Sequence, residues 1–254
     1  MKKEFGLALM AFLFLSLNAI TGAYALEEKG GMLTLLQQES DISGDGKNDI
    51  VTISGIPFEE GISYLKEIIL HVTVSDGKTY KIDLKSGFDP TIDFIDLNSD
   101  GVADLFISIP TGGSGGLSNY FLYTLANDQL VDIGIPDSLT ITSQFQDGYK
   151  ATMTIENTGE TYTFDLKSRK KDYNRLGLYL KGKLNEPTEL MVDPYSLLKP
   201  IKLKNEQYGL KGIQQISGAY HADGIAFVES KWYYENGKWN IVSTKVLDRE
   251  KTQK

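Results

Sequence analysis

Short runs of β-branched and aromatic residues, separated by glycine-containing turns, limit what this chain can fold into. The runs span residues 50–56, 67–74, 105–109, 120–125, 150–155 and 224–234. Such residues favour strands, and Asp-Gly, Asn-Gly and Thr-Gly-Glu segments between them favour tight turns. Helical periodicity is rare, and we expect at most a helical turn or two at residues 59–66 and 195–198. The pattern therefore predicts an all-β fold built from antiparallel sheets.

One internal hairpin can be predicted to the level of its register. A three-residue loop at residues 75–77 pairs Val72 with Tyr80 and keeps the apolar residues of both strands on one face. The same loop puts Gly77 where a positive φ is required. His71 then faces outward beside Lys81, so we expect it to be a solvated strand histidine.

A second hairpin is predicted close to the C-terminus. Asn-Gly at residues 236–237 is a preferred two-residue turn, and it pairs Tyr234 with Trp239 and Trp232 with Ile241. We expect this aromatic face to belong to the core, because tryptophan faces are usually buried. A sugar-stacking platform is the alternative.

The first 25 residues have the features of a secretory signal peptide. Lys2 and Lys3 precede an apolar run at residues 6–20, and Ala-Tyr-Ala at residues 23–25 matches the small-x-small cleavage pattern. An uncleaved membrane anchor is the alternative, but the apolar run is short for a span of about 20 residues. We expect a secreted protein that is extracellular or associated with the cell surface, with a single all-β domain at residues 26–254.

Composition excludes several classes of site. The chain has no cysteine and two histidines, so thiolate chemistry is excluded and a multi-histidine zinc site is disfavoured. The net charge of −8 gives no general electrostatic attraction to nucleic acid.

Two nine-residue segments share one order of acidic, polar and glycine positions. Residues 41–49 read D-I-S-G-D-G-K-N-D and residues 96–104 read D-L-N-S-D-G-V-A-D, both following D-x-[SN]-x-D-G-x-x-D. Calcium takes six to eight oxygen ligands, and a glycine at position 6 permits the sharp turn that brings later oxygens back to the ion. The segments therefore predict two calcium sites, with plain Asp/Gly turns as the alternative. The predicted ligands are Asp41, Ser43, Asp45, the Lys47 carbonyl and Asp49 in the first loop, and Asp96, Asn98, Asp100, the Val102 carbonyl and Asp104 in the second.

The two loops are not EF-hands, because Thr52 and Ile107 occupy the position where an EF-hand has its bidentate Glu. Strand-like sequence follows each loop directly. In this respect residues 38–133 resemble the FG-GAP and VCBS-type repeats, including the calcium repeats of integrin α-chain propellers. The resemblance implies a small or incomplete propeller-like array, with calcium-loop repeats at residues 26–135 and degenerate β repeats at residues 136–254. Ser43 departs from the usual Asp or Asn of those repeats.

The resemblance and the export signal together predict a secreted bacterial, non-catalytic, calcium-binding β-repeat protein that acts as a binding or structural module. A cell-wall polymer, a carbohydrate or another surface protein is the expected partner. The basic segment at residues 167–183 is a candidate contact for anionic wall polymers, although a solvated connection is the simpler interpretation.

A secreted hydrolase, or its carbohydrate-binding accessory, is the alternative function. Residues 112–116 fit G-x-S-x-G, with Ser114 as nucleophile, and Asp193 and His221 follow later in the chain. That motif requires a strand–turn–helix elbow, whereas the sequence after these glycines predicts a strand. We therefore expect no catalytic residue here.

Overall fold

A computed structural model describes residues 31–113, 115–204 and 206–249. The predicted signal peptide and Ser114 lie outside these residues. The described chain forms five antiparallel sheets, two of them in its N-terminal half. The first has the order β1-β2-β3-β4, with a short β5 that pairs with β3. Its strands are β1 (Leu33–Ser40), β2 (Asp49–Pro57), β3 (Tyr64–Thr73), β4 (Thr79–Leu84) and β5 (Gly87–Phe88).

The second sheet, called the middle sheet below, is a four-stranded meander in sequence order. It contains β6 (Thr91–Ile95), β7 (Asp104–Pro110), β8 (Ser118–Ala126) and β9 (Gln129–Asp132). In both N-terminal sheets, an acidic nine-residue segment makes the connection between the first two strands. The sequence folds this way because each segment is followed directly by a β-branched apolar run.

The C-terminal half contains the other three sheets and a short helix. A long four-stranded meander, called the C-terminal sheet below, follows a three-stranded meander and a two-stranded hairpin. The elements are β10 (Ile141–Gln146), β11 (Lys150–Ile155), β12 (Glu160–Asp165), a 3₁₀ turn (Lys167–Arg169), α1 (Lys170–Arg175), β13 (Tyr179–Leu180), β14 (Lys183–Leu184), β15 (Met191–Lys202), β16 (Tyr208–Ser217), β17 (Gly224–Glu235) and β18 (Lys238–Asp248).

The middle sheet packs apolar side chains into two cores, one on each face. From β7, Leu105 and Ile107 enter the core shared with the first sheet. Phe106 enters the core shared with the C-terminal half. On β8, Leu122 enters that same core, whereas Tyr123 enters the core shared with the first sheet. Burial on both faces explains why β7 is apolar at nearly every position instead of alternating.

Both predicted hairpin registers are confirmed. Val72 lies opposite Tyr80, with Gly77 at φ 92° in the connecting turn. Tyr234 lies opposite Trp239, and Trp232 opposite Ile241. Trp232 is 6% exposed and belongs to the C-terminal core, so the core interpretation of this aromatic face is confirmed for Trp232.

Two parts of the sequence-based fold are wrong. The described sheets do not close into a propeller or barrel; the first and middle sheets instead share one apolar core. The helical turns expected at residues 59–66 and 195–198 lie in a turn leading into β3 and in β15, while the short helix α1 was not predicted. Tyr195 and Leu198 both point into the C-terminal core, because a bulge between them breaks strict alternation and imitates helical spacing. Within the described residues, no helix has the length and apolarity needed to cross a membrane.

A substitution at Gly212 can test how closely β15 and β16 pack together. A Cβ added there would lie 2.2 Å from Cε1 of Tyr195 and 2.8 Å from Oγ of Ser230. We expect Gly212→Ala to lower the free energy of unfolding by about 1–3 kcal/mol, because a packed ring and backbone must move. Gly113→Ala is the matched control, since the nearest atom would be 3.9 Å away. Equal midpoints for both variants in urea would contradict this packing.

Candidate functional site

The two acidic segments, called the first loop (residues 41–49) and the second loop (residues 96–104), lie next to each other. A Cβ added at Gly44 would be 2.8 Å from Cγ2 of Val102, so the two turns are in direct contact. Gly44 has φ +73° and is the residue that allows this approach. The topology therefore brings together the two segments that the sequence marked.

In the first loop, backbone amides surround the carboxylates. Asp41 accepts bonds from the amides of Gly44 at 2.7 Å and Gly46 at 2.8 Å. Asp45 accepts the amide of Lys47 at 2.8 Å and the hydroxyl of Ser75. These hydrogen bonds lower the pKa of Asp45, and the bond from Ser75 has the largest effect. These are side-chain-capped turns, in which the protein itself supplies the donors that stabilise each negative charge.

Asp49 closes the first loop and is fully buried. Its Oδ2 accepts the amides of Ile42 and Ser43, both at 2.9 Å. Its Oδ1 accepts the amide of Ser75 at 2.8 Å and the Ser43 hydroxyl at 3.4 Å. Both oxygens of this buried carboxylate are therefore satisfied within the protein.

The second loop repeats the capped turns with one more side-chain contact. Asp96 accepts the amides of Asp100 at 3.1 Å and Gly101 at 3.0 Å, and Asp100 accepts the amide of Val102 at 2.9 Å. The Asn98 amide group donates to Asp100 at 2.9 Å and to the Thr124 hydroxyl at 3.2 Å. Asn98 thus directs its donor towards the carboxylate of position 5.

Asp104 differs from Asp49 although both stand at position 9. It is also fully buried, and its Oδ2 accepts the amides of Leu97 at 2.8 Å and Asn98 at 3.1 Å. Its Oδ1 is buried and has no partner within hydrogen-bond geometry. The Thr124 hydroxyl lies close enough to favour the charged carboxylate, and so opposes the effect of burial on the pKa of Asp104. Burial raises the pKa of Asp104 to about 6. A buried acceptor without a donor costs about 1–3 kcal/mol, and more when it is charged.

The metal-binding interpretation of these loops needs a correction. Within the described residues, no group of three or more His, Cys, Asp or Glu is arranged so that it could hold a metal ion. The physical reason is that the carboxylates are turned towards backbone amides of their own loops. Neither loop therefore presents a preformed cluster of acidic metal ligands in the described residues, and calcium binding by these loops stays a prediction.

The hydrolase residues are brought together only in part. His221 Nδ1 lies 3.4 Å from Oδ2 of Asp193, and the His221 side chain is 56% exposed. Ser114 lies outside the described residues, so the third member of the predicted set has no position here. Residues 118–126, which follow the glycines, form β8 as expected.

Acidic neighbours neutralise much of the predicted basic segment. Lys183 pairs with Asp147 at 2.7 Å, Lys167 with Asp165 at 3.6 Å, and Arg175 with Asp172. Arg169 reaches Asp223 at 2.7 Å and is largely buried. Arg169 therefore ties the segment to the buried Asp223, and the other pairs reduce its net positive charge, which weakens its interpretation as a polymer contact.

A second basic feature cannot be recognised from the sequence. Lys199, Lys211 and Lys231 lie opposite one another on three adjacent strands of the C-terminal sheet. They are separated along the chain, so no charge run marks them. Each lysine is next in the chain to a core residue, Leu198, Leu210 or Trp232, so strand alternation puts the three lysines on the face away from the core. The pairing register of the strands then brings these lysines side by side.

The Asp223 carboxylate organises the junction of α1 with the C-terminal sheet. Tyr173 is fully buried and donates its hydroxyl to Oδ2 of Asp223 at 2.6 Å, while the Ala219 amide donates to the same oxygen at 3.0 Å. Burial, reinforced by this bond, raises the pKa of Tyr173.

We expect Tyr173→Phe to lower the free energy of unfolding by about 1.5–3 kcal/mol, because it removes a buried bond to a charged group. Tyr220→Phe is the control: its hydroxyl donates to Asp172 at 3.0 Å, but the residue is 43% exposed. That change should stay within about 0.5 kcal/mol. Chemical denaturation of both variants measures the difference, and equal losses would refute the assignment of the buried network.

Comparison with known protein families gives a match in the C-terminal half of the chain. Residues 139–247 match the family model described as the YybI C-terminal domain. Over 210 residues the chain is 29% identical to a Bacillus subtilis (strain 168) protein described as uncharacterized protein YybI, covering 78% of this chain and 79% of that protein. Among solved structures it is similar to the exotype rhamnogalacturonan lyase YesX, with 16% identity and a TM-score of 0.35. That alignment covers 85% of this chain and 33% of the lyase, and so distant a likeness supports no conclusion about function.

These matches overturn the resemblance to FG-GAP and VCBS-type calcium repeats. No such repeat family is found, and the matching family model is the YybI C-terminal domain. The pattern D-x-[SN]-x-D-G-x-x-D misled because capped Asp/Gly turns between strands select the same residues as a calcium loop. The chain is therefore similar to YybI over most of its length, and its acidic loops belong to hairpin connections and not to propeller blades.

Proposed function

We propose that the protein is an exported, non-catalytic module of antiparallel sheets that acts outside the cell, or at its surface, as a binding or structural component. In this proposal one calcium ion completes the second loop. The single observation that carries the calcium site is the buried Oδ1 of Asp104, which has no partner within hydrogen-bond geometry. Export is supported by the positive start, apolar run and small-x-small ending of residues 1–25.

The second loop offers calcium the oxygen donors that this hard cation prefers. Asp96, Asp100 and Asp104 supply carboxylates, Asn98 an amide oxygen and Val102 a backbone carbonyl. The capped turns described above must loosen to admit the ion, because the carboxylates now face amides. Asp104 provides the reason for this change, since a cation beside Oδ1 compensates a charge that the protein leaves without a donor.

The first loop enters the proposal differently. Its Asp49 has four donors and leaves neither oxygen without a partner. An ion there would replace existing hydrogen bonds without relieving an uncompensated charge. We therefore propose weaker calcium binding through Asp41, Ser43, Asp45, the Lys47 carbonyl and Asp49 than through the second loop.

A bound ion would stabilise the centre of the molecule. Asp104 is the first residue of β7, whose side chains enter both cores. Sites in extracellular modules have dissociation constants of roughly 10⁻⁴–10⁻³ M, so millimolar calcium would add about 0.4–1.4 kcal/mol to the free energy of unfolding.

The Asp104→Asn variant tests this proposal because its effect depends on calcium. In chelator we expect it to be about 1 kcal/mol more stable than the native protein, since it removes a buried charge while keeping an acceptor for Leu97 and Asn98. In millimolar calcium the native protein should gain stability and the variant should not. Thermal and urea unfolding of the native protein and of the variant, each in chelator and in millimolar calcium, give the four free energies of unfolding to be compared.

Asp49→Asn is the matched control at the same position of the first loop. Its carboxylate accepts on both oxygens, so the amide group of Asn would face the Ser75 amide. We expect a loss of about 1–3 kcal/mol in both buffers. A native protein whose unfolding is unchanged by calcium would remove calcium from the proposal and leave the exported module.

The secreted hydrolase is retained as a second candidate because of the contact between His221 and Asp193. A fluorophosphonate probe, which labels activated serines, distinguishes the two functions. Under the proposed non-catalytic role we expect no labelling of Ser114, and no difference between the native protein and Ser114→Ala. Stoichiometric labelling that disappears in both Ser114→Ala and His221→Ala would establish the hydrolase instead.

A further inference from the structure

The face of the C-terminal sheet that points away from its core carries a row of lysines. Lys199 lies opposite Lys211, and Lys211 opposite Lys231, on β15, β16 and β17. Ser243 of β18 completes the row. Adjacent strands are about 4.8 Å apart, so three positive charges are spaced at roughly that interval across the sheet. Like charges directly opposite each other destabilise a sheet, so this row has a cost to folding.

The row ends in a groove of about 420 Å³. Lys202, Lys204 and Lys231 line it together with Tyr233, Val242 and Ser243, and no acidic residue is among its described lining. Val242 is 52% exposed, so the groove is open to solvent. The chain as a whole has a net charge of −8, which makes this local positive surface the exception.

Acidic groups around this surface neutralise it only in part. Glu229 pairs with Lys211, and its other oxygen is 4.0 Å from Lys231. Glu206 lies 3.6 Å from Lys202, but that carboxylate side chain is 84% exposed and such pairs are weak. Among the described residues, Lys204 takes part in no ion pair. Positive charge therefore exceeds negative charge along the row and in the groove.

We propose that the lysine row and groove bind a linear polymer with regularly spaced phosphate groups. The charged groups that line the groove are all lysines, which bind phosphate oxygens as point charges and require no fixed plane of the ligand. The extended row suits a chain laid across the strands. The inference rests on the proposed extracellular binding role, but it does not depend on calcium.

The test is binding of purified poly(glycerol phosphate), followed by calorimetry in chelator so that no divalent ion bridges the polymer. We expect the native protein to bind, with affinity falling about 50-fold between 50 and 200 mM salt if about four contacts form. The triple variant Lys199→Gln, Lys204→Gln, Lys231→Gln should bind at least about tenfold more weakly. These side chains are on the surface, so the variant should fold, and its unfolding curve verifies that.

The matched control removes the same charge from the basic segment. Lys170, Lys171 and Lys181 are exposed, and their change to Gln should leave binding within about twofold of the native protein. Equal losses in both triple variants, or absence of binding by the native protein at low salt, would overturn the proposal. Tighter binding of polygalacturonate or of single-stranded DNA would overturn the assignment of the polymer. None of these outcomes depends on the calcium measurements, so the two proposals fail separately.

Discussion

Burial of the middle sheet on both faces is the constraint on which the rest of the structure depends. β7 sends alternate side chains into two different cores, so the first sheet and the C-terminal half are held to the same strand. Its first residue, Asp104, brings a carboxylate into that buried environment. Two amides stabilise one oxygen, and the other has no hydrogen-bond donor. The position that joins loop to core is therefore also the position where electrostatic compensation is incomplete.

The two acidic loops show how similar sequences reach different electrostatic solutions. In the first loop Ser75, which follows the end of β3, donates its amide to Asp49 and its hydroxyl to Asp45. In the second loop Thr124 lies on the corresponding side of Asp104, where its hydroxyl accepts from Asn98, and Oδ1 of Asp104 has no partner within hydrogen-bond geometry. A neighbour distant in sequence thus decides whether a position-9 aspartate is satisfied. This is why we propose calcium binding for the second loop above all.

The sequence predicted local features well and assembly poorly. Gly77 and Gly237 fixed two hairpin registers, since a period-two pattern and a positive φ leave few alternatives. The acidic segments were correctly located between strands, but their side chains turn to backbone amides, which the residue pattern alone does not distinguish from metal ligation. Packing of sheets against one another depends on contacts such as those of Phe106 and Leu122 in one core and Leu105 and Tyr123 in the other. Lys199, Lys211 and Lys231 became neighbours only through strand pairing, and no local motif contains them.

The second loop and the lysine groove are joined by a short chain of polar contacts. The Ser99 hydroxyl lies 3.3 Å from the hydroxyl of Tyr233, and Gln207 donates to that hydroxyl at 2.7 Å. Tyr233 lines the groove, and Ser99 lies between the acidic positions of the loop. The two proposed sites are thus separate in their ligands, yet Tyr233 belongs to the lining of the groove and contacts a residue of the second loop.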